Sequence, residues 1–181
     1  PFRQNSDFWY LTGFDEPNAV ALFLSHKPKG ERFILFVLPK EPDKEVWFGY
    51  REGVEGVISS FGADFAHPLE DLSKELGNYL KDAQGLVFRI GKHPTVEPLV
   101  LKLWAEQLDE KQRSGFAPNS LTPPCHLLHQ LRLKKGPEEI DSIRKAVAIS
   151  AQAHELARER TKVGMNERQV QALIEQYFLN Q

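Results

Sequence analysis

The sequence predicts an α/β fold, a mixed β-sheet flanked by helices, followed by one more strand and two helices. Three observations carry this expectation. Two short apolar runs, AVALFLS (19–25) and RFILFVLP (32–39), face each other across a Pro- and Gly-containing loop. Helical and strand-like patterns then alternate as far as Leu108. Past a Pro-rich stretch, two long amphipathic helical patterns close the chain.

The elements follow in order. The first 17 residues hold five aromatics: Phe2, Phe8, Trp9, Tyr10 and Phe14. Chain ends are usually polar and frayed, so such density reads as a buried segment whose preceding neighbour has been removed. Gly13 and Glu16-Pro17-Asn18 mark a turn. The two apolar runs read as adjacent antiparallel strands. The first lacks clean alternation, so burial on both faces is expected. Val46-Trp47-Phe48-Gly49-Tyr50 is a third strand candidate, ending near Gly53 and Gly56. Residues 54–61 read as a short helix and 64–68 as a short strand. Leu69, Leu72, Leu76 and Leu80 recur at helical spacing, giving a helix over 69–82. Leu86–Ile90 is a strand stopped by Gly91. Pro94 opens a helix whose apolar face carries Val96, Leu99, Val100, Leu103, Trp104 and Leu108.

Residues 114–124 break the rhythm. They hold three prolines and no charge, and read as a linker. Residues 1–124 carry 14 basic and 18 acidic groups, whereas 125–181 carry 9 and 7. Eleven of the 12 phenylalanines precede residue 125. These asymmetries place a domain boundary near 115–128, giving a first domain over 1–124 and a second over 125–181. The second part opens on Leu127–Leu133, whose later half alternates like a strand. Pro137 suits the first position of a helix, where its missing N–H has no intrahelical partner. Glu138 and Glu139 follow at the positive helix end. That helix runs to about 162 with two apolar stripes, through Ile140, Ile143, Val147, Ala151 and His154 and through Ile149, Ala153 and Leu156. Asn166 is placed to cap a last helix, with Gln169 as its capping-box partner. Val170, Leu173, Ile174, Tyr177 and Phe178 form its apolar face. A strand and two helices with uncovered faces read as the beginning of a domain.

Composition bounds the function. Of 181 residues, 41% are hydrophobic and 27% charged, as in ordinary globular chains. The 23 basic and 25 acidic groups leave a net charge of −2. No basic excess is present to neutralise a phosphate backbone, which disfavours nucleic acid as a partner. No stretch approaches the roughly 20 apolar residues of a membrane span. The single cysteine, Cys125, allows no intrachain disulfide and fits a reducing compartment, so a cytoplasmic location without membrane or nucleic-acid partners is expected. The start at Pro1 rather than Met reads as an internal fragment.

Chemistry-bearing motifs are sparse. There is no His-Glu-x-x-His, no Cys-x-x-Cys and no EF-hand loop. There is no nucleophile elbow and no phosphate loop. His126 and His129 lie three apart, but beside a strand-like run and without carboxylates. His154, on a helix stripe, reads as a core histidine. Glu138-Glu139 is explained by the helix start. Arg51 reads as a solvated loop charge. Trp47 is harder to assign to packing, because a large aromatic beside Gly and a basic residue also suits a binding surface. Residue chemistry alone gives no complete active site.

Three segments resemble one family. RQNSDFWYLTGFDEPNAV (3–20) and EVWFGYREG (45–53) resemble two blocks of the amino-terminal, creatinase-like domain of the Xaa-Pro aminopeptidases (aminopeptidase P). LRLKKGPEEIDSIRKAVAISAQAHELARERTKVGMNERQVQALIE (131–175) resembles the opening of the pita-bread catalytic domain. The resemblance implies an amino-terminal domain lacking its first elements over 1–124, and a truncated pita-bread domain over 125–181. It implies a parent hydrolase that releases the first residue of peptides with proline second. It implies two divalent ions, usually manganese, held by Asp, His and Glu ligands. No position here matches those ligands, so catalytic and metal residues are none, and the chain as given is expected to be inactive and metal-free. The substrate implied is a proline-containing peptide, and the parent is expected to form a homo-oligomer. The resemblance places Trp47 near a neighbouring subunit's active site and makes Arg113 a candidate for lining the substrate cleft. Two rivals stand beside this reading: a prolidase or creatinase relative, and a non-catalytic pita-bread relative that binds peptides or histones.

Overall fold

The computed structural model describes residues 2–114 and 117–181, leaving out the side chains of 111–114. The chain divides into two compact units, Pro1–Leu128 and His129–Gln181.

The first unit is built around one strand. β1 (Val20–Phe23) pairs antiparallel with β2 (Phe33–Val37), which pairs parallel with β3 (Phe65–Pro68). The sheet is therefore mixed and β2 is central. Side chains alternate across a strand, so Phe-Ile-Leu-Phe-Val sends apolar groups to both faces. Ile34 and Phe36 join Leu24, Leu72, Leu76, Leu80, Leu86 and Val100 on one face. Leu35 and Val37 join Phe14, Val57 and Ala63 on the other. Burial on both sides explains why this run shows no polar alternation.

Helices cover each face. α1 (Ser6–Thr12) starts at Asn5, whose side-chain oxygen accepts from the Asp7 and Phe8 amides. It ends at Gly13 with φ 68°, a left-handed stop that glycine adopts freely. The aromatic-rich start is thus a helix. It buries Thr12 and is followed by the fully buried Phe14, while Phe2 and Trp9 stay exposed. α3 (Gly53–Phe61) lays Val57 against the Phe14 side. On the opposite face a single 3-10 turn (Leu69–Asp71) leads into α4 (Leu72–Leu80), whose three leucines are buried. Tyr79 on α4 and His67 on β3 are 2.8 Å apart between Oη and Nε2, and burial raises the Tyr79 pKa. α5 (Glu97–Ser114) follows the short strand β4 (Leu86–Val87).

Several expectations are corrected, among them the strand at 86–90, which is confined to Leu86–Val87. Residues 46–50 are not a strand, because α2 (Pro42–Phe48) takes in 46–48 and Gly49 ends it. Pro42 at the helix start and Asp43 and Glu45 in the first turn outweigh the β-propensity of Val-Trp-Phe. Residues 127–133 are not a strand either, because α6 spans Cys125–Leu133. Leu, His, Gln and Arg carry no β-branching, and Leu127, Leu128 and Leu131 also fit helical spacing. The 114–124 stretch is not a bare linker. β5 (Leu121–Thr122) pairs parallel with β4, Ala117 and Pro118 are buried, and Trp104 donates from Nε1 to the Pro118 carbonyl at 2.7 Å.

In the second unit, α7 (Pro137–Arg160) and α8 (Glu167–Leu179) pack on each other. Ala153 and Ala157 of α7 are buried, and residues this small allow close approach. Asn166 caps α8 as expected, and Gln169 Oε1 accepts from the Asn166 amide at 2.8 Å. Ile140, Ile143, Val147 and Phe178 remain exposed. His154 is exposed rather than a core histidine, since the face it shares with Val147 is uncovered.

Candidate functional site

α1, α3, α4 and α5 each bury at least one residue, whereas none of the residues of α2 is buried. Burial of an apolar face usually holds a short helix in place. Here the apolar side chains point outward: Val46 is 83% exposed, Trp47 82%, Phe48 70% and Tyr50 61%. Scattered exposed apolar residues are ordinary, but four within five positions form a patch of the kind that marks an interaction surface.

The segment is an arm that leaves and returns at one place. Gly53 has φ 67°, and a Cβ there would lie 2.8 Å from the Lys40 Cβ. Only glycine lets the two ends of the arm approach so closely. Gly49, with φ 82° and ψ 170°, stops α2. Within the arm, the Arg51 amide donates to Glu45 Oε1 at 3.3 Å. The Lys40 ammonium sits 4.4 Å from the Tyr50 ring centre, a cation–π contact. It also donates to the Tyr50 hydroxyl at 3.3 Å, which raises the Lys40 pKa.

Glu16 joins the arm to the body of the unit. Its Oε1 accepts from the Glu52 amide at 2.7 Å, and its Oε2 lies 3.6 Å from the Arg51 guanidinium. These side chains are 12% and 15% exposed. Arg51 is therefore not a solvated loop charge. It is the counter-ion of a largely buried carboxylate. The Glu16 carbonyl in turn accepts from Gln4 Nε2 at 2.8 Å. Sequence reasoning passed over Glu16 as part of a turn. Its signal was a carboxylate placed two residues after the core residue Phe14.

Of the residues singled out from sequence, Trp47 stands on the exposed arm. Arg113 falls within α5, and its side chain lies outside the described residues. His126 and His129 both sit exposed on α6. Among the described residues, no group of three or more His, Cys, Asp or Glu is arranged to hold a metal ion. The described residues do not fit a metal centre, so no step through a metal is derived from them.

Comparison with known proteins gives this arrangement a context. Residues 1–88 match the family model for the aminopeptidase P, N-terminal domain. The chain is 33% identical to the Xaa-Pro aminopeptidase of Escherichia coli over 98% of its own length. The chain is homologous to aminopeptidase P, and residues 1–88 carry the N-terminal domain of that family. The structure of Pseudomonas aeruginosa aminopeptidase PepP superposes with a TM-score of 0.90 over 99% of the chain, at 32% identity. Zinc-substituted E. coli aminopeptidase P, solved with a product, also superposes with a TM-score of 0.90 over 99% of the chain, at 31% identity. The chain spans about two fifths of the aminopeptidase P relatives it matches, 40% of the E. coli protein and 40% of the P. aeruginosa one. The fold shared with these relatives is the mixed sheet with flanking helices. No helix among the described residues is long and apolar enough to cross a membrane.

Proposed function

We propose that these residues form the amino-terminal domain and the opening of the catalytic domain of a metal-dependent Xaa-Pro aminopeptidase, with the first domain over 1–124. The observation that carries this reading is an alignment running through 98% of the chain. The zinc-substituted relative supports metal dependence. The substrate is a peptide with proline in second position. Proline has no N–H and a fixed φ, so peptidases that grip an extended backbone handle it poorly, and a dedicated enzyme is required.

In this reading the residues described here do not hydrolyse the bond. They present the arm around Trp47 to the substrate cleft of a neighbouring subunit in a homo-oligomer, and Arg113 lines that cleft. The parent enzyme works in the cytoplasm, and the metal ions, manganese in the usual case, bind elsewhere in it. A non-catalytic histone-binding relative is disfavoured by the net charge of −2 and by the peptidase relatives.

The purified 181-residue chain tests the division of labour. Titration with Mn²⁺ should show no tight binding, and incubation with a Xaa-Pro tripeptide should release no amino acid. Metal-dependent hydrolysis by this chain alone would overturn the proposal.

A further inference from the structure

We infer that Glu16 is the positioning residue of the Trp47 arm. The functional consequence rests on the reading of Trp47 as a cleft element. The tether itself does not.

The argument starts from what α2 lacks. A seven-residue helix with no buried side chain has no apolar face to fix its orientation. The contacts Lys44–Glu41, Lys40–Tyr50 and Glu45–Arg51 are internal to the arm and would move with it. Among the described hydrogen bonds and ion pairs, those joining residues 40–52 to the rest of the unit end on Glu16. Glu16 grips the returning limb twice, once at the Glu52 amide and once at the Arg51 guanidinium. Its own backbone is fixed by Gln4 and by the buried Phe14 two residues earlier. Its Oε2 is fully shielded from solvent and makes no hydrogen bond, so the nearby guanidinium is its compensation. The carboxylate thereby sets where the arm leaves the body.

Hydrogen exchange on the 181-residue chain reads the tether. Glu16→Ala should speed exchange of the amides of 46–52 at least tenfold, while β2 amides change less than twofold. Glu16→Gln keeps an acceptor for the Glu52 amide and loses the charge facing Arg51. It should give a smaller rise, about two- to fivefold, confined to the same residues. If Glu16→Ala does not fold, Glu16→Gln decides. Unchanged exchange over 46–52, or a rise spread evenly through the unit, would overturn the inference.

Kinetics of the enzyme containing this chain read the consequence. Glu16→Ala should lower kcat/KM for a Xaa-Pro peptide about five- to tenfold, mainly through KM. In a Trp47→Ala background it should cause no further fall, because the two act through one element. Losses that multiply in full would overturn the coupling. If Trp47→Ala alone leaves the kinetics unchanged, the cleft reading fails and hydrogen exchange still decides the role of Glu16.

Discussion

Replacing Phe14 by alanine is expected to destabilise the first unit by about 3–5 kcal/mol, the usual cost of truncating a fully buried Phe. Phe14 is 0% exposed and packs with Leu35, Val37, Val57 and Ala63. Its ring also meets Phe61 edge-on, with centroids 5.1 Å apart and planes at 86°. Such pairs add about 0.5–1.5 kcal/mol beyond area burial. The site joins three elements, because Phe14 follows α1, Leu35 and Val37 lie on β2, and Val57 and Phe61 lie on α3. Collapse around the cavity is therefore restricted, which places the expected cost in the upper part of the range. Urea unfolding of the 181-residue chain, followed in the first unit, measures it. A loss below about 1 kcal/mol would show that the sheet face beneath α3 is not the packed core described.

Trp47→Ala is expected to behave in the opposite way. With the indole 82% exposed, its removal should change stability by no more than about 0.5 kcal/mol. In the Xaa-Pro aminopeptidase proposed to contain this chain, the same change should lower kcat/KM for Xaa-Pro peptides by about ten- to a hundredfold, equivalent to about 1.4–2.7 kcal/mol. Trp47→Phe should recover part of that loss, since an aromatic face remains. Steady-state kinetics alongside a melting curve separate the two effects. Unchanged kinetics with unchanged assembly would make Trp47 an ordinary surface aromatic.

The contrast between Phe14 and Trp47 also shows what could be read from the sequence. Where one element has one periodicity, the residues declared the structure. The leucines of α4, the paired apolar runs of β1 and β2, Pro137 at the start of α7 and the Asn166–Gln169 box all stand where their spacing placed them. Short elements with mixed signals did not. In 42–50 an aromatic run argued for a strand while Pro42 and the acidic first turn argued for a helix, and the helix start prevailed. In 125–133 a few alternating residues outweighed helix-forming composition in the reading, although not in the chain. β5 is two residues long and sits among prolines, too short for any periodicity to show.

The arm was half legible for a related reason. Trp47 stands out because a large aromatic beside glycine is chemically conspicuous. Glu16 and Arg51 do not, because each is ordinary in its own neighbourhood. They meet only after β1, β2 and α2 have folded the chain back over 34 intervening positions. A pair formed by tertiary structure leaves no local pattern.

The most direct test of the central claim is a peptidase assay on the full-length protein containing this chain, with a tripeptide carrying proline second and the matching Xaa-Pro dipeptide side by side. The account predicts release of the first residue from the tripeptide, loss of that activity in the presence of a metal chelator, and weaker cleavage of the dipeptide. Cleavage confined to the dipeptide, or no cleavage of either, would contradict it.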